Sequence, residues 1–305
     1  MSDFLFACPV DRTVLSRERA GACCPTCGVH YPRREKIWRF ADVSRDDYRD
    51  FLETYRVVRR AEGWGSPDAR YYQTLPYVAR DDAQYAIWRV RAVSFQKLVT
   101  LLSPASTLLD VGAGNGWLSY QLLQRGHSVA TLDLNDDERD GLGAQHFYPT
   151  ALECVQADMQ QLPFADAQFD AVIFNASLHY TTDLARALAE SLRVLKARGA
   201  IVVTDSPLYR QAASGAAMLQ AKAREFQTKY GLEMARTPRG FLTFADFQHP
   251  ALHWQWYESF ADARARVVAR AWGCARQWSA RWRGKHEPAR FGVMVGQRVR
   301  ADDAK

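Results

Sequence analysis

No stretch of about 18 consecutive apolar residues occurs in this chain of 305 residues, so no segment is expected to span a membrane. The opening MSDFLFACPV sets Cys8 in the manner of a lipoprotein cleavage site. It has no basic segment ahead of it, however, and its apolar stretch is far too short for export, so the cytoplasm is the expected compartment. Internal repeats and low-complexity tracts are also missing. With 48% hydrophobic and 24% charged residues, nothing argues for disorder outside the last few residues, Ala301 to Lys305. Cysteine is scarce: four of the six fall at Cys8, Cys23, Cys24 and Cys27, a cluster better explained by a metal than by disulfides. The net charge of +6 permits anionic partners without requiring any. Its placement is uneven, because residues 261–300 hold ten Arg or Lys against two acidic residues, interleaved with Trp272, Trp278 and Trp282.

The length exceeds one average domain but falls short of two large ones, which points to a dominant domain with a small appendage. Residues 1–42 are punctuated by Cys, Pro and Gly, with short extended stretches at 29–32 and 37–40, and read as a small ribbon. Residues 43–104 carry helical patterns at 47–62 and 82–102, separated by GWGSPDARYYQTLP and ending against Ser103-Pro104, and read as a helical lid or linker. From 105 to 300 short apolar runs alternate with helical patterns: TLLDV, a helix at 117–125, SVATLD, ECVQAD, FDAVIFNA, a helix at 183–196, then GAIVVTD. Such alternation implies a parallel sheet covered on both faces. HWQWYESF and ARFGVMVGQRV read as two further strands, with helical insertions within 211–250 and 261–285.

The segment with most chemical content is LLDVGAGNGWLSYQLLQRGHSVATLDLN, residues 108–135. A strand ends in Asp110, turns through Gly112, Gly114 and Gly116, and opens a helix whose expected N-cap is Asn115. Glycines here let the backbone bend sharply and let a ligand approach with no Cβ in the way. About twenty residues after the turn, the next strand ends at Asp133, placed to accept hydrogen bonds from ribose hydroxyls. A dinucleotide GxGxxG would need glycine at 117, where bulky Trp117 stands, whereas DxGxGxG follows the spacing of S-adenosylmethionine (SAM) enzymes. A third strand ends at Asp158-Met159, an acidic point where SAM enzymes place a carboxylate that accepts the adenine amino group, and the fourth runs into the exit loop with Leu178, His179 and Tyr180.

Over roughly residues 105–210 the chain resembles the type 11 branch of class I SAM-dependent methyltransferases. The resemblance implies Asp110 near the methionine amino group, Gly112, Ala113 and Gly114 along the methionine end, Asp133 on ribose, and Asp158 with Met159 at adenine. Gly116, Leu134 and Asn175 complete the expected cofactor-binding set. RVLKARGAIVV departs from the family in having Ala197-Arg198-Gly199 where Pro-Gly-Gly is usual, which changes the turn before the fifth strand and not the cofactor site. The expected fold is α/β, a Rossmann-like seven-stranded, mostly parallel sheet with helices on both faces, a ribbon and a helical lid. The expected activity is transfer of a methyl group from SAM to an O, N or C atom of a small-molecule or lipid-like acceptor. Hydroxyl and carbon acceptors often need a proton removed, for which His179 is the candidate base, against a purely structural role for a Leu-His pair in this loop. Tyr180, Asp205 and Tyr209, with Asn175, lie at or beyond the carboxyl ends of strands four and five and are candidate acceptor-pocket residues, capping and turn roles being the alternative. Arg89 or Arg91 either meets the SAM carboxylate or is a solvated charge.

In the ribbon, Cys24-Pro-Thr-Cys27 is a half-site with knuckle spacing, while Cys8-Pro-Val-Asp11 has aspartate where a second cysteine would complete a four-cysteine set. A structural zinc on Cys8, Asp11, Cys24 and Cys27, with Cys23 as an alternative ligand, stands against a ribbon that folds without metal. The region resembles the zinc ribbons fused to bacterial methyltransferases and the free-standing activator subunit of tRNA and rRNA methyltransferases, which implies a final extended segment packed on the catalytic domain. That resemblance and the basic C-terminal end open a second reading, an RNA methyltransferase; a third is a non-catalytic SAM-binding protein using the ribbon as an interaction module. Cys154 and Cys274 are expected in apolar cores, and the chain is expected to be a monomer or a weak homo-oligomer.

Overall fold

The computed structural model describes residues 4–231, 233, 239–258 and 287–299. The helical reading of 261–285, its tryptophans and Cys274 lie outside the described residues. The chain opens with a four-stranded antiparallel meander, β1 (Ser16–Glu18), β2 (Gly21–Cys23), β3 (His30–Arg34) and β4 (Ile37–Arg39). Helices α1 (Asp46–Ala61), α2 (Ala69–Thr74) and α3 (Tyr85–Val99) follow. The alternating region then supplies β5 (Thr107–Val111), α4 (Trp117–Leu123), β6 (Ser128–Asp133), β7 (Glu153–Gln156), β8 (Phe169–Asn175), α5 (Leu184–Val194) and β9 (Leu195–Thr204). The short pair β10 (Leu208–Tyr209) and β11 (Leu242–Thr243) flanks α6 (Ala212–Tyr230), and β12 (Leu252–Glu258) and β13 (Gly292–Arg298) end the described chain.

The fold is α/β, and the seven expected strands lie side by side in the order β7-β6-β5-β8-β9-β13-β12. β7 through β9 run parallel, while β13 pairs antiparallel with β9 and β12 antiparallel with β13. The sheet does not stop at seven strands. β4 pairs parallel with β7 through Ile37–Cys154, Trp38–Val155 and Arg39–Gln156, so the meander extends the sheet to eleven strands among the described residues. The reason is physical: β7 would otherwise present an open edge, and the buried Ile37 and Trp38 are apolar enough to cover it.

The ribbon also shares its core with the sheet. Phe6 packs on Trp38 at 4.9 Å, Phe40 at 5.0 Å and Phe164 at 5.5 Å, and Phe4 stacks on Phe169 at 5.6 Å. Arg12 adds a two-pronged pair to Glu190 of α5, each hydrogen bond 2.8 Å long. In the centre, β8 reads FDAVIFN with five consecutive buried residues at its end, as expected of a parallel strand covered on both faces.

Three local features differ from the sequence reading. The Gly- and Pro-rich stretch before α3 contains α2, started by Asp68, whose side chain accepts the Arg70 N–H at 2.9 Å. The expected turn at Ala197-Arg198-Gly199 is a register shift inside β9, where Phe169 pairs with Leu195 and Ala171 with Ala200. A Cβ on Gly199 would come within 2.7 Å of Leu195 and 3.0 Å of the Phe169 carbonyl, so crowding at the shift explains the glycine. At α4 the N-cap is Gly116, left-handed at φ 78, while Asn115 contributes its side-chain oxygen to the Trp117 N–H at 3.2 Å.

β5 sits at the point where the strand order reverses, with β6 on one side and β8 on the other. In open parallel sheets a crevice forms at the carboxyl ends of such strands. Helix α1 comes to the same edge. α1 is tied to the segment after β6 by Arg56 to Asp136 at 2.8 Å, Arg59 to Asp140 at 2.8 Å and Arg60 to Asp137 at 3.0 Å.

Candidate functional site

A cleft with about 1010 Å³ of free space, including its mouth, opens at that crevice. Its floor is made by Gly112, Gly114, Asp133, Leu134, Asp158 and Met159, all anticipated from sequence. Tyr48, Phe51 and Tyr55 of α1 form one wall, and Ser177, Tyr180, Thr181 and Thr182 from the loop after β8 form another. The α1 residues were missed, as were Asn135 and Asp140; the signal was Arg56, Arg59 and Arg60 recurring at helical spacing opposite the acidic run 136–140.

The floor is fixed by backbone donors. Asp133 accepts the Gly114 N–H and the Asn135 N–H, both at 2.7 Å, which locks the carboxylate against the glycine turn. Asp158 accepts the Gln160 N–H at 2.8 Å and the Tyr48 hydroxyl at 2.8 Å, tying α1 to the end of the cleft expected to hold adenine. Gly112 has φ +70, and a Cβ there would overlap the side chain of Ser177. Gly114 has φ +56 and nothing within 4 Å of where a Cβ would stand, so the turn leaves space at the cleft. Trp117 is buried against Trp88 and Phe95, with centroids 5.7 Å away in each case, which is why the third glycine of a dinucleotide motif has no place here.

Asp110 is fully buried beneath the turn. One carboxylate oxygen accepts the Ser119 hydroxyl at 2.8 Å, and the other has no hydrogen-bond partner. Burial, with the charge of Asp133 adding to it, pushes its pKa up to about 7; burial also lifts Asp133 to about 6 against the pull of its backbone donors. These carboxyls bind a proton more tightly in the native state than in the unfolded chain, so their contribution to stability falls as pH rises from about 4 to about 7. His179 works in the opposite sense. Burial, then the nearby Lys222 and Arg91, lowers its pKa to about 3, so acidification protonates it first in the unfolded chain. The difference between wild type and Asp110→Asn isolates the first group: in urea unfolding between pH 4 and 8, wild type is expected to lose on the order of a few kcal/mol relative to the variant as pH rises. A pH-independent difference would mean that Asp110 titrates as an ordinary carboxylate.

The remaining expected residues lie off the cleft. His179 is buried, with Nδ1 3.2 Å from the Ser206 hydroxyl, and does not line it. Asn175 is buried and donates to Asp205 at 3.4 Å; Asp205 also accepts the Ser94 hydroxyl at 2.6 Å. Tyr209 is buried beside Phe241, with centroids 5.8 Å apart. Ala113 and Gly116 serve the turn without lining the cleft, and Tyr180 is the only one of the four acceptor-pocket candidates that lines it among the described residues. Tyr180 meets Tyr55 edge-on at 5.8 Å and Phe51 at 6.2 Å.

In the ribbon, one ligand atom each from Cys8, Asp11, Cys24 and Cys27 all lie within 4.8 Å of one another, a group that could hold a metal ion. The Cys8 and Cys27 sulfurs are 3.6 Å apart, and an Asp11 oxygen is 3.3 Å from the Cys24 sulfur. A tetrahedral site with bonds of about 2.3 Å has sulfur–sulfur edges of about 3.8 Å, so the set fits with little adjustment. The Cys23 sulfur instead lies against the Cys24 carbonyl at 3.8 Å, and Cys154 is buried in the sheet core.

A parallel sheet reversing at β5, a glycine turn, and carboxylates at or just beyond the ends of β5, β6 and β7 define a Rossmann-like nucleoside-binding domain. Residues 109–203 match the family described as "Methyltransferase domain", and this part of the chain is a class I SAM-dependent methyltransferase domain. Over 128 residues the chain is 34% identical to a 2-phytyl-1,4-naphtoquinone methyltransferase of Nostoc sp., covering 40% of this chain and 54% of that protein. Over 167 residues it is 32% identical to a fatty-acid O-methyltransferase of Mycolicibacterium smegmatis, covering 52% and 60%. The chain therefore spans little more than half the length of these curated relatives. The YcgJ protein of Bacillus subtilis superposes with a TM-score of 0.49 at 15% identity, over 68% of this chain and 99% of that one.

Proposed function

We propose that the whole chain is a SAM-dependent methyltransferase acting on a small-molecule or lipid-like acceptor, with residues 1–42 as its ribbon, 43–104 as its lid and 105–300 as its catalytic domain. The observation that carries this reading is the continuity of one cleft from the Asp133 floor to the aromatic wall of Phe51, Tyr55 and Tyr180. When bound, SAM supplies an electrophilic methyl group on a positively charged sulfur. Asp133, already fixed by two backbone donors, offers its remaining lone pairs to ribose hydroxyls, and Asp158 with Met159 flanks adenine. The unpartnered Asp110 oxygen suits the ammonium of the methionine end. In-line displacement needs alignment and exclusion of water more than acid–base chemistry, and aromatic walls held by α1 serve both.

Transfer of tritiated methyl from SAM into a metabolite or lipid extract tests the reading, with total RNA as the parallel substrate. Label in the extract supports it; label confined to RNA, with salt-dependent RNA binding, replaces it with the RNA methyltransferase reading. SAM binding without transfer to either would favour the non-catalytic alternative.

The metal group supports a structural zinc on Cys8, Asp11, Cys24 and Cys27. Elemental analysis should find about one zinc per chain, and chelation or Cys24→Ser should lower Tm by several degrees. Equal Tm with and without zinc would mean that the shared core holds the ribbon unaided.

A further inference from the structure

Two of the four metal-site residues of the ribbon lie inside the seam that joins it to the wall of the cleft. The Ala7 N–H donates to the Pro163 carbonyl at 3.1 Å, and the Gln161 side-chain amide donates to the Pro9 carbonyl at 2.6 Å, so Cys8 is bracketed by bonds to residues 161–163. Asp11 has a similar neighbour. Arg12 forms the two-pronged pair with Glu190, and a Glu190 oxygen also accepts the Leu162 N–H at 3.0 Å. Within the ribbon, the loop from Cys8 to Asp11 is closed by the Arg12 N–H on the Cys8 carbonyl at 2.9 Å and by the Thr13 N–H on an Asp11 oxygen at 2.9 Å. A metal that draws Cys8 and Asp11 to one point therefore also fixes Pro9 and Arg12, the ribbon residues that hold the seam. Across the seam stands the cleft. The Gln161 N–H donates to the Asp158 carbonyl at 3.0 Å, and Asp158, Met159 and Gln160 line the end expected to hold adenine. Arg12 and Gln161 stand behind this wall and do not line the cleft.

We propose that Arg12 and Gln161 are positioning residues through which the metal site of the ribbon sets the adenine end of the cleft, so that metal occupancy and adenine recognition are thermodynamically coupled. The proposal rests on the methyltransferase and zinc readings above, and adds that the ribbon acts on cofactor recognition as well as on stability. A carboxylate distinguishes an amino group, which donates, from a ring carbonyl, which accepts, only while it is held in place. Asp158 is held by the Gln160 N–H at 2.8 Å and the Tyr48 hydroxyl at 2.8 Å on its side chain, and by Gln161 on its carbonyl. With the metal removed, Pro9 and Arg12 lose their anchor, residues 158–162 gain freedom, and adenine is bound less tightly and less selectively. Linkage then requires the cofactor to raise the affinity for the metal by the factor by which the metal raises the affinity for the cofactor.

The test is calorimetric titration of the full chain, zinc-loaded and after chelation, with S-adenosylhomocysteine and with S-inosylhomocysteine, in which an oxygen replaces the adenine amino group. Zinc-loaded wild type should prefer S-adenosylhomocysteine by about tenfold or more, the worth of one hydrogen bond to a charged acceptor. Chelation, or Cys24→Ser at a metal-site residue outside the seam, should weaken S-adenosylhomocysteine binding by about tenfold and remove most of that preference. Saturating S-adenosylhomocysteine should tighten zinc binding by the same factor. Arg12→Met combined with Gln161→Leu should keep one zinc per chain yet show the low affinity and low preference of the stripped chain, a change that a merely stabilising role would not produce. Equal affinity with and without zinc overturns the proposal. So does a double variant with wild-type preference, or equal weakening of both nucleosides on chelation. If the stripped chain unfolds, the zinc-loaded double variant decides alone, by the same preference. Wild type that binds zinc but not S-adenosylhomocysteine refutes the methyltransferase reading, and wild type that binds S-adenosylhomocysteine but not zinc refutes the metal site; either ends the proposal for its own distinguishable reason.

Discussion

Gly112→Ala is expected to destabilise the protein by about 2–5 kcal/mol, a large fraction of the stability of an ordinary domain. Two costs add. The residue sits at φ +70, where a Cβ strains the backbone by about 1–2 kcal/mol. The new methyl group would also overlap the Ser177 side chain, whose hydroxyl is held on the Val111 carbonyl, so relief requires moving the loop after β8 or the end of β5. Overpacking of this kind typically costs about 1–3 kcal/mol. Gly114→Ala separates conformation from space. At φ +56 with nothing within 4 Å, it should lose only about 1–2 kcal/mol of stability, while its methyl group enters the cleft and weakens S-adenosylhomocysteine binding by about tenfold. Urea unfolding of the two variants checks the contrast. Equal stability losses would contradict the assignment of Gly112 to close packing and Gly114 to ligand approach.

The second large effect concerns affinity. Asp133→Ala should weaken S-adenosylhomocysteine binding by about 100-fold or more, because the two charge-assisted hydrogen bonds to ribose hydroxyls that we propose for it would be lost, each worth about 1.5–3 kcal/mol. The substitution also frees the Gly114 N–H and the Asn135 N–H that now share the carboxylate at 2.7 Å, so the turn loses its fixed shape. Global stability should move far less than affinity, since Asp133 is held partly as an acid by burial and its removal lifts that penalty.

The floor of the cleft was legible because each of its residues answers a local demand. Glycines at 112 and 114 follow from a turn with positive φ, and Asp133, Asp158 and Met159 stand at strand ends whose position the alternation of apolar runs fixes. The sheet was legible for the same reason, strand by strand. The aromatic wall was not, because Phe51 and Tyr55 look like the apolar stripe of any amphipathic helix until the arginines of α1 meet the aspartates after β6. The fusion of ribbon and sheet was equally hidden: Ile37 and Trp38 are apolar in a short strand, and nothing local says that β7 is the edge they cover. Asn175, His179, Asp205 and Tyr209 carry the right chemistry at the right edge of the sheet. Their side chains nevertheless turn into buried contacts that sequence spacing does not encode.

The most direct test of the central claim is calorimetric titration of wild type and Asp133→Ala with S-adenosylhomocysteine and, in parallel, with NAD. The account predicts micromolar binding of S-adenosylhomocysteine alone by wild type, and its loss in the variant. Binding of NAD in preference, or of neither ligand, would contradict it.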